Sequence, residues 1–411
     1  MKDNLYMNAS EAAAALNISL PTLYAYVSRG LIRSEETEGK TRAKRYHRED
    51  VAALQARKEL RQNPAKAAEK ALHWGSPVLE SGITLIENGR FYYRGHEAIL
   101  LPERHTFADV ANLIWQGDLT DGAQFAGDIS RQWQLVQQAT PLWTGLTPME
   151  RFQVILPLAA TTDLAAYDLS DTAVIHTAQR ILNLLTTAVT GQPVTGSIAA
   201  ALQQTWTPDD TAVTPLLETA LIYCADHELN VSAFAARTVA SAKATPYAVV
   251  IAGLAALQGS LHGGATERVE ALFREVGLPQ NARMAVASRL RRGEPIPGFR
   301  HPLYPDGDPR GRALLDKLAA VYPDVPSLQL ARQIMVAVET AVGYQPTVDC
   351  ALVTLAWAAN LPPGAPLALF AIGRTVGWIG HALEQYGRDH LIRPRARYVG
   401  PLPSSPSSTS K

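Results

Sequence analysis

The sequence predicts a mainly α-helical protein, and three observations carry that expectation. Beyond Phe107, apolar residues recur every three or four positions, the repeat of one helix face. Pro or Gly interrupts these runs, which are rich in Ala, Leu and Gln. Apolar residues make up 47% of 411 positions and charged ones only 18%, a balance that suits much buried helix or a large subunit interface. The length implies two or three domains, because one hydrophobic core does not grow to this size.

Residues 1–62 read as a separate domain. Asn8 and Glu11 stand at capping-box spacing, so a short helix follows over Ala12–Leu16. Asn17-Ile18-Ser19 is a turn, and Ser19 caps a second helix. Pro21 fits the first turn of that helix, where amides lack helical partners, and the helix runs to about Ser28 and stops at Gly30. A hairpin turning at Glu38-Gly39 places Lys40, Arg42 and Lys44 on one face of a strand. A third helix from about Glu49 turns Val51, Leu54 and Leu60 inward. This segment resembles the MerR-type winged helix-turn-helix. The resemblance implies that Leu20–Ser28 enters the DNA major groove, bringing Thr22 and Tyr24 to it, while Lys40, Arg42 and Lys44 touch phosphates. Arg29 is the one strong base-reading side chain there, so a module for assembly is the competing reading.

Residues 63–78 read as a polar linker. Short strands follow, with Glu87-Asn88-Gly89 as a hairpin turn. Residues 401–411 are Pro/Ser-rich and read as a disordered tail. The 38 basic residues balance 38 acidic ones, so the chain as a whole has no electrostatic bias toward nucleic acid. Its two cysteines, Cys224 and Cys350, are too few for a secreted disulfide framework and fit a reducing cytoplasm. No signal peptide is read, and apolar stretches such as Tyr247–Leu257 are too short for a bilayer. A cytoplasmic protein with no membrane partner is expected.

The chemistry concentrates in a few segments. His262 lies between an apolar run and Gly263-Gly264, at the entry to a helix expected from about Ala265. The positive end of a helix disfavours imidazolium, and a neutral ring there can donate a hydrogen bond to a developing enolate. A capping histidine is the plain alternative. His301 lies in a Pro/Gly-interrupted loop ending in Asp308-Pro309-Arg310. His227, in Asp226-His227-Glu228, lies within an apolar helical pattern. Asp349 is flanked by apolar residues, and desolvation makes a carboxylate a better base; a helix cap is the alternative. Arg310, Arg374 and Arg393 stand in apolar or Pro/Gly settings, and three guanidinium forks suit a di- or tricarboxylate. No His-x-x-x-His, Cys-x-x-Cys, P-loop or dinucleotide fingerprint is present, so no metal and no cofactor are expected.

From about Leu79 to Gly400 the chain resembles a citrate synthase. The resemblance rests on Ala225-Asp226-His227-Glu228-Leu229-Asn230-Val231-Ser232, Gly259-Ser260-Leu261-His262-Gly263-Gly264, Gly298-Phe299-Arg300-His301 with Asp308-Pro309-Arg310, Val348-Asp349, Gly373-Arg374-Thr375-Val376-Gly377-Trp378 and Arg393-Pro394-Arg395. It implies an all-helical two-domain fold, with residues 79–261 and 358–400 as the large domain and 262–357 as the small one. It implies condensation of acetyl-CoA, or another short acyl-CoA, with oxaloacetate, the CoA thioester being a substrate. Asp349 would take the methyl proton, His262 would stabilise the enol, and His301 would protonate the ketone oxygen. His227, Arg310 and Arg374 would hold the carboxylates, and Arg393 would reach in from the other subunit of a homodimer. Thr266, Arg300, Pro302 and Thr347 depart from the family's usual pattern. They leave open a propionyl-CoA-using 2-methylcitrate synthase, since one methylene changes pocket preference by only ~1–3 kcal/mol. A DNA-binding regulator with a metabolite-sensing body is the alternative from another class.

Overall fold

The computed structural model describes residues 6–36, 44–48, 50–51, 54, 79–119, 125, 130–194 and 196–401. It divides into two compact units, Met1–Glu80 and Ser81–Lys411.

The first unit holds β1 (Tyr6–Met7), α1 (Ala9–Leu16), α2 (Leu20–Ser28), β2 (Ser34–Glu36) and β3 (Lys44–His47). The expected capping box forms: the Asn8 side chain accepts from Glu11 N–H and Glu11 accepts from Asn8 N–H, both at 2.9 Å. Asn17 ends α1 in the left-handed conformation, φ 47°, which Asn tolerates. The strands lie antiparallel in the order β1-β3-β2, with Ser34 opposite Tyr46. Ala12, Leu16, Leu23, Ile32, Tyr46 and Val51 form the core, and Leu54 packs on it. Lys44 begins β3 and is exposed. The expected turn at Glu38-Gly39, and Lys40, Arg42, Glu49 and Leu60, lie outside the described residues.

The second unit opens with an antiparallel sheet of β4 (Thr84–Glu87), β5 (Arg90–Tyr93) and β6 (His96–Glu97). Asn88 and Gly89, at φ 52° and 74°, make the expected tight turn. The helices are α3 (Phe107–Gln116), α4 (Ser130–Ala139), α5 (Pro148–Ala160), α6 (Asp171–Thr190), α7 (Ile198–Trp206), α8 (Thr214–Cys224), α9 (Val231–Ser241) and α10 (Pro246–Leu257). They continue with α11 (Ala265–Val276), α12 (Ala282–Arg291), α13 (Pro309–Val321), α14 (Pro326–Val342), α15 (Val348–Ala358) and α16 (Ala365–Tyr386). No helix among the described residues is long and apolar enough to cross a membrane.

Helix α16 is the axis of the unit. It packs against α8, α9 and α10, and nearly all its residues are buried. Close approach depends on glycine: a Cβ at Gly253 of α10 would sit 2.4 Å from the Trp378 ring, and one at Gly377 would sit 2.4 Å from Asp226 Oδ1. A second, smaller core holds Val269, Phe273, Val286, Ile334 and Val338. Helix α15 belongs to both cores: Ala351, Leu352 and Leu355 face the main one, Cys350 and Val353 the smaller one.

Candidate active site

Breaks and first turns of helices carry the site. His227 lies in the break between α8 and α9, not inside a helix as its apolar neighbours suggested. Glu228 turns the chain there through φ 53°. The His227 ring lies 5.1 Å from that of His301, at 84°. Its Nε2 is 2.9 Å from Tyr304 Oη, and both residues are buried. His301 Nδ1 accepts from Leu303 N–H at 3.2 Å, which places the proton of the neutral ring on Nε2.

Two backbone bonds tie the His301 loop to the segment leading into α15. Arg300 N–H donates to Gln345 O at 3.0 Å, and Thr347 N–H donates to Gly298 O at 2.9 Å. Arg300 sits at φ 67°, where glycine is free of strain and an L side chain costs roughly 1–2 kcal/mol. Glycine, the residue that the resemblance leads one to expect here, would take that backbone without strain. The exposed Arg300 guanidinium donates to Tyr344 Oη at 3.3 Å.

Asp308 locks the next segment. It accepts from Arg310 Nε at 3.0 Å and from Arg310 Nη2 at 2.8 Å. It also accepts from Val348 N–H at 3.1 Å, so one buried carboxylate aligns the first turns of α13 and α15. Asp349 is therefore the second residue of α15, and the cap position belongs to Thr347, which excludes the capping reading. Burial pushes the Asp349 carboxyl up to about 6, against the pull of Arg310 and the Thr347 hydroxyl, which donates to it at 3.2 Å.

His262 precedes α11, whose cap residue is Gly264, so it is not the capping histidine either. Its Nε2 is 2.7 Å from Ser232 Oγ, which also lies 2.9 Å from Asn230 Oδ1 and accepts from Trp378 Nε1–H at 3.1 Å. The single Ser232 proton serves either the ring or Asn230; donated to the ring, it leaves the imidazole hydrogen on Nδ1. Burial, more than the helix end, keeps this ring neutral, with Arg374 adding to it; together they hold it at about 3. Burial and then Arg310 hold His301 at about 4 and His227 well below the usual range.

Arg374 of α16 is 1% exposed. Its Nε donates to Cys224 O at 2.7 Å, while Nη1 and Nη2 have no hydrogen-bond partner among the described residues. Burial lowers its proton affinity, and Asp226 opposes that. Burial alone would raise the Asp226 carboxyl, but His381, 3.3 Å away, and Arg374 hold it below its usual range. Thr84 Oγ donates to Asp226 at 2.6 Å. A buried guanidinium with two idle nitrogens is costly unless an anion completes it.

The structure thus brings His227, His301 and Arg310 together, and the charges of Arg310 and Arg374 reach Asp349 and His262. Arg393 stands apart: it is exposed on the extended segment after α16 and forms no hydrogen bond or ion pair with the others. Tyr304, Ser232, Trp378, Asp308 and His381 were not singled out as site residues in the sequence. Asp308, Ser232 and Trp378 stood within the quoted motifs but without a role, and Tyr304 and His381 left no signal.

The depressed histidines imply acid sensitivity. Each is neutral when folded and takes up a proton on unfolding below pH ~6.5, so folding loses stability as pH falls toward 4. Asp349 has the opposite sign, holding its proton in the fold, and offsets one of the three between pH 6 and 4. Each uncompensated proton is worth about 1.4 kcal/mol per pH unit. We expect the urea midpoint to fall steeply from pH 6 to 4 and the His301→Gln variant to show a shallower slope. A flat profile over that range would contradict the burial-driven neutrality of these rings.

A mainly helical, two-core body with neutral imidazoles, a buried carboxyl and a buried guanidinium defines a class: helical enzymes built around a small anionic ligand. The family model described as "Citrate synthase, C-terminal domain" matches residues 71–395, and "Helix-turn-helix domain" matches residues 6–59. The chain belongs to the citrate synthase family. It is 30% identical to putative citrate synthase 2 of Mycobacterium tuberculosis H37Rv over 342 residues, 78% of this chain and 90% of that one. It is 28% identical to 2-methylcitrate synthase of the same strain over 333 residues, 75% of this chain and 84% of that one. With citrate synthase 2 of Bacillus subtilis it shares 36% identity over 185 residues, 44% of this chain and 50% of that one. Citrate synthase from Thermotoga maritima MSB8 superposes with a TM-score of 0.68 at 26% identity, covering 80% of this chain and 96% of that structure.

Proposed function

We propose that this protein condenses acetyl-CoA with oxaloacetate and hydrolyses the citryl thioester to citrate and CoA. Arg374 carries the reading: two buried guanidinium nitrogens without partners among the described residues, beside neutral imidazoles, call for a small carboxylate. Asp349 takes the methyl proton, its burial-raised affinity matching a general base. A thioester α-proton is too weakly acidic for a free carboxylate, so His262 donates from Nδ1 to the forming enol oxygen. The Ser232 proton must then point at Nε2, which the 2.7 Å separation permits. His301, its proton on Nε2, donates to the ketone oxygen as the new bond forms. His227, Arg310 and Arg374 hold the keto-diacid. Arg393, exposed in its own chain, serves the site of a second copy in a homodimer. Water exclusion around the enol accounts for two cores meeting at α15.

Acetyl-CoA and propionyl-CoA are to be compared side by side by thiol release with oxaloacetate. Faster turnover of propionyl-CoA would reassign the chain to 2-methylcitrate formation, and no CoA release from either would remove the catalytic reading.

The first unit favours double-stranded DNA as a further partner. Its α2 exposes Tyr24, the cap residue Arg29 is exposed as well, and a helix-turn-helix model matches residues 6–59. Duplex affinity measured by fluorescence anisotropy is expected to fall steeply with salt. It should also weaken in the Tyr24→Ala variant. Salt-independent or undetectable binding would leave assembly as the role of this unit.

A further inference from the structure

A cavity of about 260 Å³ lies between α13 and α14, outside the histidine cluster. Its floor is apolar: Leu315 and Leu328 are buried, and Met335 and Ala319 add to it. Its rim carries both signs of charge, Arg312 and Arg332 against Asp316 and Glu339. Arg332 and Asp316 form no hydrogen bond or ion pair among the described residues, although they line the same opening. Like charges for a phosphate or a metal would segregate; here two arginines face two carboxylates on the rim, the third lining carboxylate, Asp308, being held by Arg310. That combination fits a small zwitterion with an aliphatic tail. The size suits a metabolite smaller than a nucleotide.

The back wall connects this cavity to chemistry. Gly307, Asp308, Gln345 and Pro346 line it. Asp308 is the carboxylate that clamps Arg310 and the Val348 amide. Gln345 accepts from Arg300 N–H, one residue before His301. An occupant pressed against this wall braces both segments that carry proposed active-site groups.

We propose that this cavity is a regulatory site for an aliphatic α-amino acid. Its carboxylate meets Arg332 and Arg312, its ammonium meets Asp316 and Glu339, and its side chain rests on Leu315, Leu328 and Met335. Binding stiffens the Asp308 clamp and strengthens oxaloacetate binding at Arg310. The coupling rests on the condensation proposed above; the binding does not.

The test is isothermal titration of the full chain with L-leucine and L-methionine. N-acetyl-L-leucine and L-leucinamide, each lacking one charge, serve as controls. Saturable binding is expected for the free amino acids and weakening of about tenfold or more for the controls, the loss of a charge-assisted contact. Arg332→Ala and Asp316→Ala, both at exposed positions, should weaken binding by a similar factor and keep basal thiol release. Saturating leucine should lower the KM for oxaloacetate about fivefold. No saturable heat at roughly 10 mM, a millimolar dissociation constant being the weak limit of specific binding, would overturn the site. So would binding that neither substitution weakens, and an unchanged KM would overturn the regulatory role. A chain releasing no CoA under any condition would sink the proposed activity instead, while the titration still decides the cavity.

Discussion

Replacing Asp349 by alanine is expected to slow CoA release from acetyl-CoA and oxaloacetate by roughly 10²–10⁴-fold, the usual contribution of a positioned base. Oxaloacetate affinity should stay near that of the parent, because the carboxylates are assigned to Arg310, Arg374 and His227. The pH profile supplies an independent check. Burial raises this carboxyl to about 6. The base form therefore accumulates as pH rises through 6, and kcat/KM should climb about tenfold per pH unit below that point and level off above it. A profile flat down to pH 4.5, or an alanine variant with near-parental turnover, would assign proton removal to another group. Titrating oxaloacetate into the variant by calorimetry separates lost chemistry from lost binding.

The second large effect is expected at Arg374. Arg374→Met keeps the volume of the side chain but removes the fork. Oxaloacetate binding should weaken by the ~2–5 kcal/mol that truncating a buried charge pair costs. The empty protein should lose stability as well, since the buried Asp226 carboxylate loses a positive charge that helps keep it ionised. The buried carbonyl of Cys224, left without its 2.7 Å donor, adds to that loss. Oxaloacetate should raise the melting temperature of the parent and not of the variant. Arg374→Lys should keep charge but not the bidentate grip, falling between the two. A variant that binds oxaloacetate normally would place the diacid elsewhere.

Much of this was legible in the chain because it is local. The capping box of Asn8 and Glu11, the turn at Asn88-Gly89 and the bounds of α2 depend on residues within a few positions of one another. The histidines, arginines and Asp349 were legible as motifs, since each sits in a short, unusual setting. The groups that orient them were not. Ser232 is 30 positions from His262, and Trp378 is 146 positions from Ser232. Tyr304 is 77 positions from His227. No spacing rule predicts such pairs, because elements far apart in the chain meet to create them. The same limit misplaced His227 within a helix: Leu221 and Ile222 read as a continuous helical face, while Gly377 N–H takes the Ala225 carbonyl, Asp226 bonds Tyr93 and Thr84, and Glu228 turns at φ 53°.

Helix α15 sets a further condition on how such a protein adapts. Cys350 and Val353 press on the smaller core, while Asp349 lies between them and the residues of the larger one. A larger side chain at Cys350 would thus have to be absorbed by the smaller core, next to the carboxylate and on the far side of the helix from the larger core. Packing density on one side and proton affinity on the other are thus set by adjacent positions of one helix.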